Sequence, residues 1–334
     1  MTGFFINLLT WINNVVGNYG WSIVVFTLVI RLVLLPLDIK SKKSMRAVSK
    51  IQPKLQALQK KYANDKEKLN QKTMELYRKE HVSPTAGCLP MLISLPILWI
   101  MFSAMRTLGN EYTIQMILDM KNTGKLPDLQ SWLWIKSVFQ PDSFGATILP
   151  AVNSTLNMIR PTNASSVLTA ENIAAAVEYL KSSEYSKLAA QLAPASAFNI
   201  VQLNLLFFRP TMILPNSISN LFQYGNGLFI LPLLAGASQF LMTKIMNGKQ
   251  TKEQKELQQA QQGQDQTNPM NSPVMKWFFP IFSVWICATS NAAFSIYWMA
   301  ANVIQIVQQL LVNWYFDRKD AEAAAAAQNA SDDI

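Results

Sequence analysis

Arg31 is the residue with the greatest chemical consequence, because it lies within a long, otherwise uncharged run, Trp21–Leu37. In a helix it lies about 15 Å along the axis from Trp21. A cation at the centre of a bilayer costs about 2.5–3.5 kcal/mol on insertion scales, so it should face water, a protein cavity or a partner. The apolar runs contain no Asp or Glu. The nearest acidic residue, Asp38, lies just beyond the inner end of the run Trp21–Leu37. We expect a hydrated guanidinium without a protein partner; the alternative is an arginine whose stem reaches the inner headgroups.

Two other apolar runs carry polar residues at helical spacing. In the last run four residues follow at intervals of four, three and four, on one helix face: Trp298, Asn302, Gln305 and Gln309. An earlier run repeats this spacing with Pro232, Gly236, Gln239 and Thr243. Thr27 stands one turn from Arg31, and Gln239 and Gln305 lie near the depth of Arg31. Several polar faces at one depth predict a hydrophilic groove, whereas a single face more often joins two helices.

Other kinds of chemistry are poorly supported by the residues. His81 is the only histidine and has no metal-ligating neighbours, and the positions of Cys88 and Cys287 argue against a disulfide between them. The chain has no phosphate-cradling GxxxxGK[ST] motif. We therefore expect neither enzymatic activity nor catalytic residues, and no cofactor or bound metal.

Five apolar runs are the elements that must position these polar residues. In a chain of 334 residues, half of them hydrophobic, the runs are Trp21–Leu37, Cys88–Met105, Leu228–Met246, Trp277–Thr289 and Phe294–Trp314. A bilayer-spanning helix needs about 20 largely apolar residues, and only the fourth run is clearly short. The sequence predicts an all-α membrane protein with five spans, at 19–38, 87–107, 227–246 and, for the last two, within 275–316.

The basic residues predict the orientation of these spans. Lys and Arg are dense between the first two runs and flank the third, fourth and fifth, whereas residues 1–20 contain neither. Positive charge in short loops marks the cytoplasmic side. We therefore expect the N-terminus outside and the C-terminus inside. The segment 108–226 then lies outside, and the loop 247–274 and the tail 317–334 lie in the cytoplasm.

Residues 1–18 predict an amphipathic helix at the membrane interface, because their large apolar residues share one helix face. The alternative is the buried first half of a longer hydrophobic segment. In the outer segment, Thr169–Leu192 predicts one helix with Thr169 as its N-cap. The Pro-, Asn- and Ser-rich stretches on either side predict loops.

Residues 39–86 predict a cytoplasmic helical hairpin. Its first arm carries apolar residues at spacings of three and four: Val48, Ile51, Leu55, Leu58 and Tyr62. Pro53 is placed near the start of this arm, and Asn64 with Glu67 predicts a capped second helix that runs to Glu80. The basic surface would rest on anionic lipid, or meet ribosomal RNA or an acidic protein, or remain solvated and fix topology only.

Several blocks of the chain resemble the YidC/Oxa/Alb membrane insertases in short bacterial form. In order, they are Asn18-Tyr19-Gly20-Trp21-Ser22-Ile23, Thr27 with Arg31 and Pro36-Leu37, Gln52-Pro53-Lys54, Lys61-Tyr62, Leu76-Tyr77, Gly87-Cys88-Leu89-Pro90, Trp132-Leu133-Trp134-Ile135, Pro141-Asp142, and Tyr297-Trp298 with Asn302. The resemblance covers most of 4–145 and 226–316. Residues 146–226 exceed the family pattern, the folded domain that precedes the core in Gram-negative members is absent, and so is the basic ribosome-binding tail of mitochondrial members.

The resemblance implies a five-helix insertase core in the bacterial plasma membrane, with a groove open to the cytoplasm and to lipid but closed outside. In that family the arginine matched by Arg31 attracts acidic groups of the substrate. Positions matching Thr27, Gln239, Tyr297 and Trp298 line the substrate path, and the hairpin is needed for activity. The implied partners are nascent membrane proteins, the Sec translocon, the ribosome and the signal recognition particle machinery.

We therefore expect a chain that inserts membrane proteins and assists their folding without covalent chemistry. One alternative is a small-solute transporter or channel, with an anion pathway through Arg31. Another is a structural subunit or chaperone of the secretion channel.

Overall fold

The structure is a computed structural model that describes residues 2–81, 83, 89–150, 159–162, 165–202, 211–246 and 273–332. The predicted loop 247–274 lies outside these residues except for its last two, as do Cys88 and the chain end after 332. The helices are α1 (Thr2–Val16), α2 (Tyr19–Lys61), α3 (Lys66–Lys79), α4 (Leu89–Thr123), α5 (Ala170–Leu180), α6 (Ser183–Leu192), α7 (Ile218–Tyr224), α8 (Ile230–Met246), α9 (Pro273–Thr289) and α10 (Ala292–Asp332). The strands are β1 (Phe198–Gln202) and β2 (Thr211–Pro215).

The chain forms two compact units. One contains residues 29–101, and the other contains residues 1–28 and 102–334. Helix α2 runs through both and has 43 residues, so the boundary predicted at residue 38 is not a break in the helix. Pro36 and Pro53 both lie inside α2, and the placement of Pro53 near the start of a separate arm was wrong.

Apolar helices dominate the chain, as the hydropathy pattern predicts. Among the described residues, two helices are long and apolar enough to cross a bilayer, α2 and the Ala292–Glu322 part of α10. Helices α8 and α9 contain shorter apolar helices. Large apolar side chains are exposed along them, including Val33, Leu233, Trp285 and Leu311. Outward-facing apolar side chains on such helices suit a lipid surrounding.

The unit of residues 29–101 contains the helical hairpin formed by the end of α2 and α3. Ile51, Leu55 and Leu69 are buried. The N-cap of α3 is Asp65, whose carboxylate accepts a hydrogen bond from Lys68 N at 2.9 Å. The prediction of Asn64 as the cap was wrong by one residue, because α2 and the turn after it continue through Asn64.

The N-terminal helix α1 is separate from α2. It ends at Val16, and α2 begins only at Tyr19, so the two do not form one longer apolar helix. Leu9 and Ile12 are buried, whereas Phe4, Trp11 and Val15 are exposed. The Ser22 hydroxyl donates a hydrogen bond to Asn13 Oδ1 at 3.0 Å and joins the two helices.

Helix α4 continues well beyond the predicted boundary at residue 107. Its 35 residues correspond to about 52 Å, more than a hydrocarbon core of about 30 Å. Its second half packs against α5 and α6 in a core that includes Ile117, Met120, Tyr179 and Tyr185. Helices α5 and α6 thus form a folded layer against the second half of α4.

Two features of the segment 108–226 differ from the prediction. The predicted single helix Thr169–Leu192 is divided into α5 and α6, because Ser182 caps a new helix by accepting a hydrogen bond from Tyr185 N. Thr169 does cap α5, as predicted. The strands β1 and β2 pair antiparallel, with Ile200 opposite Ile213, in a stretch predicted to be loop. The mostly helical chain therefore includes a small β-hairpin.

Helix α8 packs against both α9 and α10. Gly236 permits close contact with α9, since a Cβ atom there would lie 2.5 Å from Val284 Cγ2 and 3.2 Å from the Pro280 carbonyl oxygen. One member of the predicted polar face on α8 thus serves helix packing. Helix α10 continues to Asp332, through most of the predicted tail 317–334.

Candidate functional site

The predicted site residues are divided between the two units. Arg31 belongs to the unit of residues 29–101, and the remaining six belong to the other unit: Thr27, Gln239, Tyr297, Trp298, Asn302 and Gln305.

Arg31 is half-buried on α2, four residues after Thr27. Asp38, two turns further along the same helix, interacts with it electrostatically. The expectation of a guanidinium without a protein partner was therefore wrong. The expectation failed because residues seven apart lie on the same side of a helix. The long arginine stem can then shorten the distance between the guanidinium and the carboxylate.

A hydrogen bond joins the polar face of α10 to α8. Asn302 is only 8% exposed, and its Nδ2 donates to Ser238 Oγ at 3.0 Å. Ser238 Oγ in turn donates to the Ala235 carbonyl oxygen at 2.9 Å. Between apolar helices this bond satisfies polar groups that lipid could not. It brings the fifth predicted span directly against the third.

Ser238 was missed in the sequence, although its neighbour Gln239 was selected. Gln239 and Gln305 are half-buried on α8 and α10. The four-three-four spacing favoured Gln239 and ignored Ser238, one residue away. The available signal was the small side chain of Ser238, because small residues allow close approach of helices and short cross-helix hydrogen bonds.

Aromatic rings surround the start of α10. The Phe294 ring packs against Phe102 at 5.1 Å between centroids, against Trp298 at 5.5 Å and against Tyr297 at 6.4 Å. Tyr297 and Trp298 are buried. Trp298 Nε1 has no acceptor among the described residues. The cluster therefore contains a buried donor that an incoming carbonyl group could satisfy.

Thr27 faces inward on α2. Its side chain is buried, and its hydroxyl donates to the Ile23 carbonyl oxygen of the same helix at 2.6 Å. The proton of this hydroxyl is thus already used within the helix, and Thr27 retains only lone pairs for another contact.

A further set of polar residues, missed as a functional element, holds the ends of three helices. We call residues 131–142 the cap segment. Its last residue, Asp142, is fully buried and accepts hydrogen bonds from Leu231 N at 2.7 Å, Phe229 N at 2.9 Å and Trp134 Nε1 at 3.3 Å. The carboxylate thus lies at the N-terminus of α8, where the helix dipole favours a negative charge.

The cap segment also contacts the first turns of α10 and α2. The carbonyl oxygens of Gln140 and Val138 accept from Ala292 N and Ala293 N at 2.9 and 2.7 Å. At α2, Trp132 lies so close to Gly20 that a Cβ atom there would be 2.2 Å from the indole ring. Asn18 Nδ2 adds a bond to the Ser131 carbonyl oxygen at 2.8 Å.

Asn226 and Lys136 join the cap segment to the residues before α8. Asn226 is fully buried and exchanges hydrogen bonds with both Ser137 N and the Ser137 carbonyl oxygen. Lys136 Nζ donates to the carbonyl oxygens of Phe222 and Gln223 at the end of α7. Burial lowers the pKa of Lys136. Among the described residues, no cluster of three His, Cys, Asp or Glu side chains suits a metal ion.

Known proteins resemble most of this chain. The model of a family described as "60Kd inner membrane protein" matches residues 11–180 and 189–319. A "Membrane protein insertase YidC" of Fusobacterium nucleatum is 40% identical over 153 residues, which are 46% of this chain and 65% of that protein. The YidC of Caldanaerobacter subterraneus is 48% identical over 100 residues, or 30% and 48% of the two chains. The YidC of Bordetella petrii is 41% identical over 112 residues, which are 32% of this chain and 20% of that protein. The matched part spans less than two thirds of each relative.

Proposed function

We propose that this chain, which belongs to the 60Kd inner membrane protein family, inserts other membrane proteins into the lipid bilayer. The relatives are named membrane protein insertases. The observation that carries the proposal is polar chemistry inside apolar helices: a cation, Arg31, in the apolar part of α2, and the Asn302–Ser238 bond between α8 and α10. Nascent membrane proteins are the proposed substrates, and a bacterial plasma membrane is the proposed location.

Arg31 is the proposed attractant for the part of a substrate that must cross. Two opposite charges about 4 Å apart attract by about 1 kcal/mol in water and about 4 kcal/mol at a protein surface. An acidic substrate tail would compete with Asp38 for the guanidinium. This competition lowers the cost of bringing the tail part of the way across without any covalent step.

The faces of α8 and α10 are the proposed path for the hydrophobic segment. Leu233 and Leu241 on α8, and Val307 and Leu311 on α10, are exposed apolar residues, while the half-buried amides of Gln239 and Gln305 provide polar contacts. Tyr297 and Trp298 would line the same path, together with Thr27. Partitioning into lipid supplies the driving force, and a membrane potential adds about 2.3 kcal/mol per charge for each 100 mV.

The proposed arrangement in the membrane has five spans, with the N-terminus outside and the C-terminus inside. It rests on the distribution of Lys and Arg around the apolar runs. The helical hairpin then faces the cytoplasm, where its basic surface meets the ribosome, the signal recognition particle machinery or anionic lipid. The Sec translocon is a further proposed partner.

Reconstitution of the purified protein tests the proposal. Proteoliposomes containing only this chain should protect a newly synthesised single-span protein from added protease, and protein-free liposomes should not. Insertion that occurs only when the secretion channel is present would indicate a subunit of that channel instead. Anion flux without insertion would favour a channel with Arg31 in its pathway.

A further inference from the structure

Three large apolar side chains are exposed in the cap segment and on α7. Leu133 is 63% exposed, Ile218 is 76% exposed and Phe222 is 62% exposed. We call these three residues the apolar patch. Ile218 and Phe222 lie four residues apart on α7 and so share one face of that helix. Leu133 lies in the turn of the cap segment between Trp132 and Ile135.

Hydrogen bonds hold the two parts of the patch in neighbouring positions. Lys136, three residues after Leu133, donates through Nζ to the Phe222 carbonyl oxygen at 3.0 Å. Its backbone N also donates to the Asn226 carbonyl oxygen at 3.3 Å. The turn that carries Leu133 and the end of α7 are therefore fixed against each other.

The backbone conformation of Leu133 indicates that a leucine at this exposed position has a particular role. Leu133 has a φ of 50°, in the left-handed region that favours glycine or asparagine. Trp132 and Ile135 exchange two backbone hydrogen bonds around this turn, and the turn positions of such a hairpin usually carry Gly, Asn or Asp. An exposed leucine in a strained turn points to a contact that requires an apolar side chain.

The apolar patch lies close to the N-terminal ends of two apolar helices. Phe222 precedes the first residue of α8 by eight positions, and Asp142 fixes that end of α8 through Leu231 N. Trp132, next to Leu133, packs on Trp21 in the first turns of α2 at 5.5 Å between ring centroids. The patch thus lies at the ends where two apolar helices begin, which is the boundary between lipid and water if these helices span the membrane.

We propose that Leu133, Ile218 and Phe222 insert into the lipid at the outer surface of the membrane and anchor the cap segment there. The opposite side of α7 carries polar residues such as Asn220, whose Nδ2 donates to Asn216 Oδ1. A short helix with one apolar and one polar face is expected to lie in the interface plane. The anchor would hold the ends of α2, α8 and α10 at a fixed depth, whatever substrate the protein handles.

Site-directed spin labelling of the full chain in anionic phospholipid vesicles tests the anchor. In a Cys88→Ala background, single cysteines are placed at the three patch positions by Leu133→Cys, Ile218→Cys and Phe222→Cys. The natural Cys287 is buried and is retained, with the unsubstituted background as the labelling blank. Gln223→Cys, exposed on another side of α7, and Lys187→Cys on α6 are the matched controls.

The collision rates with oxygen and with a water-soluble nickel chelate give the depth of each label. Labels at the patch should favour oxygen and lie about 5–10 Å below the lipid phosphates, while both controls should favour the nickel chelate. Patch labels as accessible to nickel as Lys187→Cys would overturn the proposal. Labels shielded from both reagents would also overturn it, because they would indicate a protein partner or a second copy. These results do not depend on insertion activity, so the anchor and the proposed function fail separately.

Discussion

The cap segment and the helical hairpin both lie in connections between apolar helices, but different forces hold them. In the cap segment the polar groups of Asp142 and Asn226 are fully buried, and each makes three hydrogen bonds. In the hairpin the ion pairs Lys54–Glu80 and Lys72–Glu75 are accessible to solvent, since their side chains are between 28% and 61% exposed.

The difference indicates where the chain can tolerate change. Removing one partner from a buried hydrogen bond leaves the other without water and costs about 1–3 kcal/mol, whereas exposed ion pairs contribute about 0–1 kcal/mol in typical proteins. The cap segment therefore fixes the ends of α2, α8 and α10 in one arrangement. The hairpin can vary in sequence on its surface as long as Ile51, Leu55 and Leu69 remain buried.

Asp142→Ala should produce the largest loss of stability. Without the carboxylate, the N–H groups of Phe229 and Leu231 lose their acceptor in a buried place, at about 1–3 kcal/mol each. Thermal unfolding in detergent micelles measures the effect. Asp128→Ala, which removes an exposed aspartate, is the control and should unfold near the natural temperature. Equal melting temperatures for the two variants would contradict a structural role for the cap segment.

The Ser238–Asn302 bond should give an intermediate effect. Cross-helix hydrogen bonds in membrane proteins contribute about 0.6 kcal/mol on average and at most about 1.7 kcal/mol. A double-mutant cycle with Ser238→Ala and Asn302→Ala should show a coupling in this range. Ser283→Ala with Asn302→Ala is the control cycle, since Ser283 donates to Phe279 of its own helix. A coupling near zero in the first cycle would show that the bond does not hold α8 to α10.

Changes to the hairpin ion pair should give the smallest effect. The hydrogen bond and the charge of Lys54 lower the pKa of Glu80 below its ordinary value of 4.5. A lowered pKa in the folded state stabilises the hairpin above pH 4.5 and loses this effect as the pH falls through the lowered pKa. Hydrogen exchange of α3 amides should therefore be slightly faster in Glu80→Gln than in the natural chain at pH 7.

The same comparison at acid pH sharpens this prediction. Below the lowered pKa of Glu80 the variant and the natural chain should show equal thermal stability, because both side chains are then neutral. A difference between them that grows on acidification would contradict the assigned pKa direction.

The sequence predicted the apolar helices well, because long apolar runs leave few alternatives. Helix ends were harder to predict. Asn64 and Asp65 are adjacent residues that both cap helices well, and the choice between them depends on where α2 ends. The division of the predicted helix into α5 and α6 occurs at Ser182, whose side chain caps α6. This division depends on how the two helices pack on α4, which local sequence does not reveal. The pairing of β1 with β2 joins strands on either side of residues 203–210, and local composition does not reveal it.

Residues of the candidate site could be predicted only where polar residues recur at helical spacing in an apolar run. Asn302 and Gln239 stood out because a polar residue in an apolar run is costly. Ser238 was overlooked since a single serine costs little. Asp142 was seen only as part of a family motif, because its partners Phe229 and Leu231 lie about 90 residues further along the chain and only the fold brings them together.

The central claim, that Arg31 attracts acidic substrate tails, is tested most directly by insertion rates in reconstituted vesicles. Natural chain, Arg31→Ala, Arg31→Lys and the exposed control Arg318→Ala are compared on two substrates that differ only by Asp-to-Asn changes in the tail. With the acidic tail, Arg31→Ala should slow insertion about tenfold, equivalent to 1.4 kcal/mol, while Arg31→Lys and Arg318→Ala should remain near the natural rate. With the neutral tail all four should be alike. Equal slowing by Arg31→Ala and Arg31→Lys, or equal slowing on both tails, would contradict the electrostatic role.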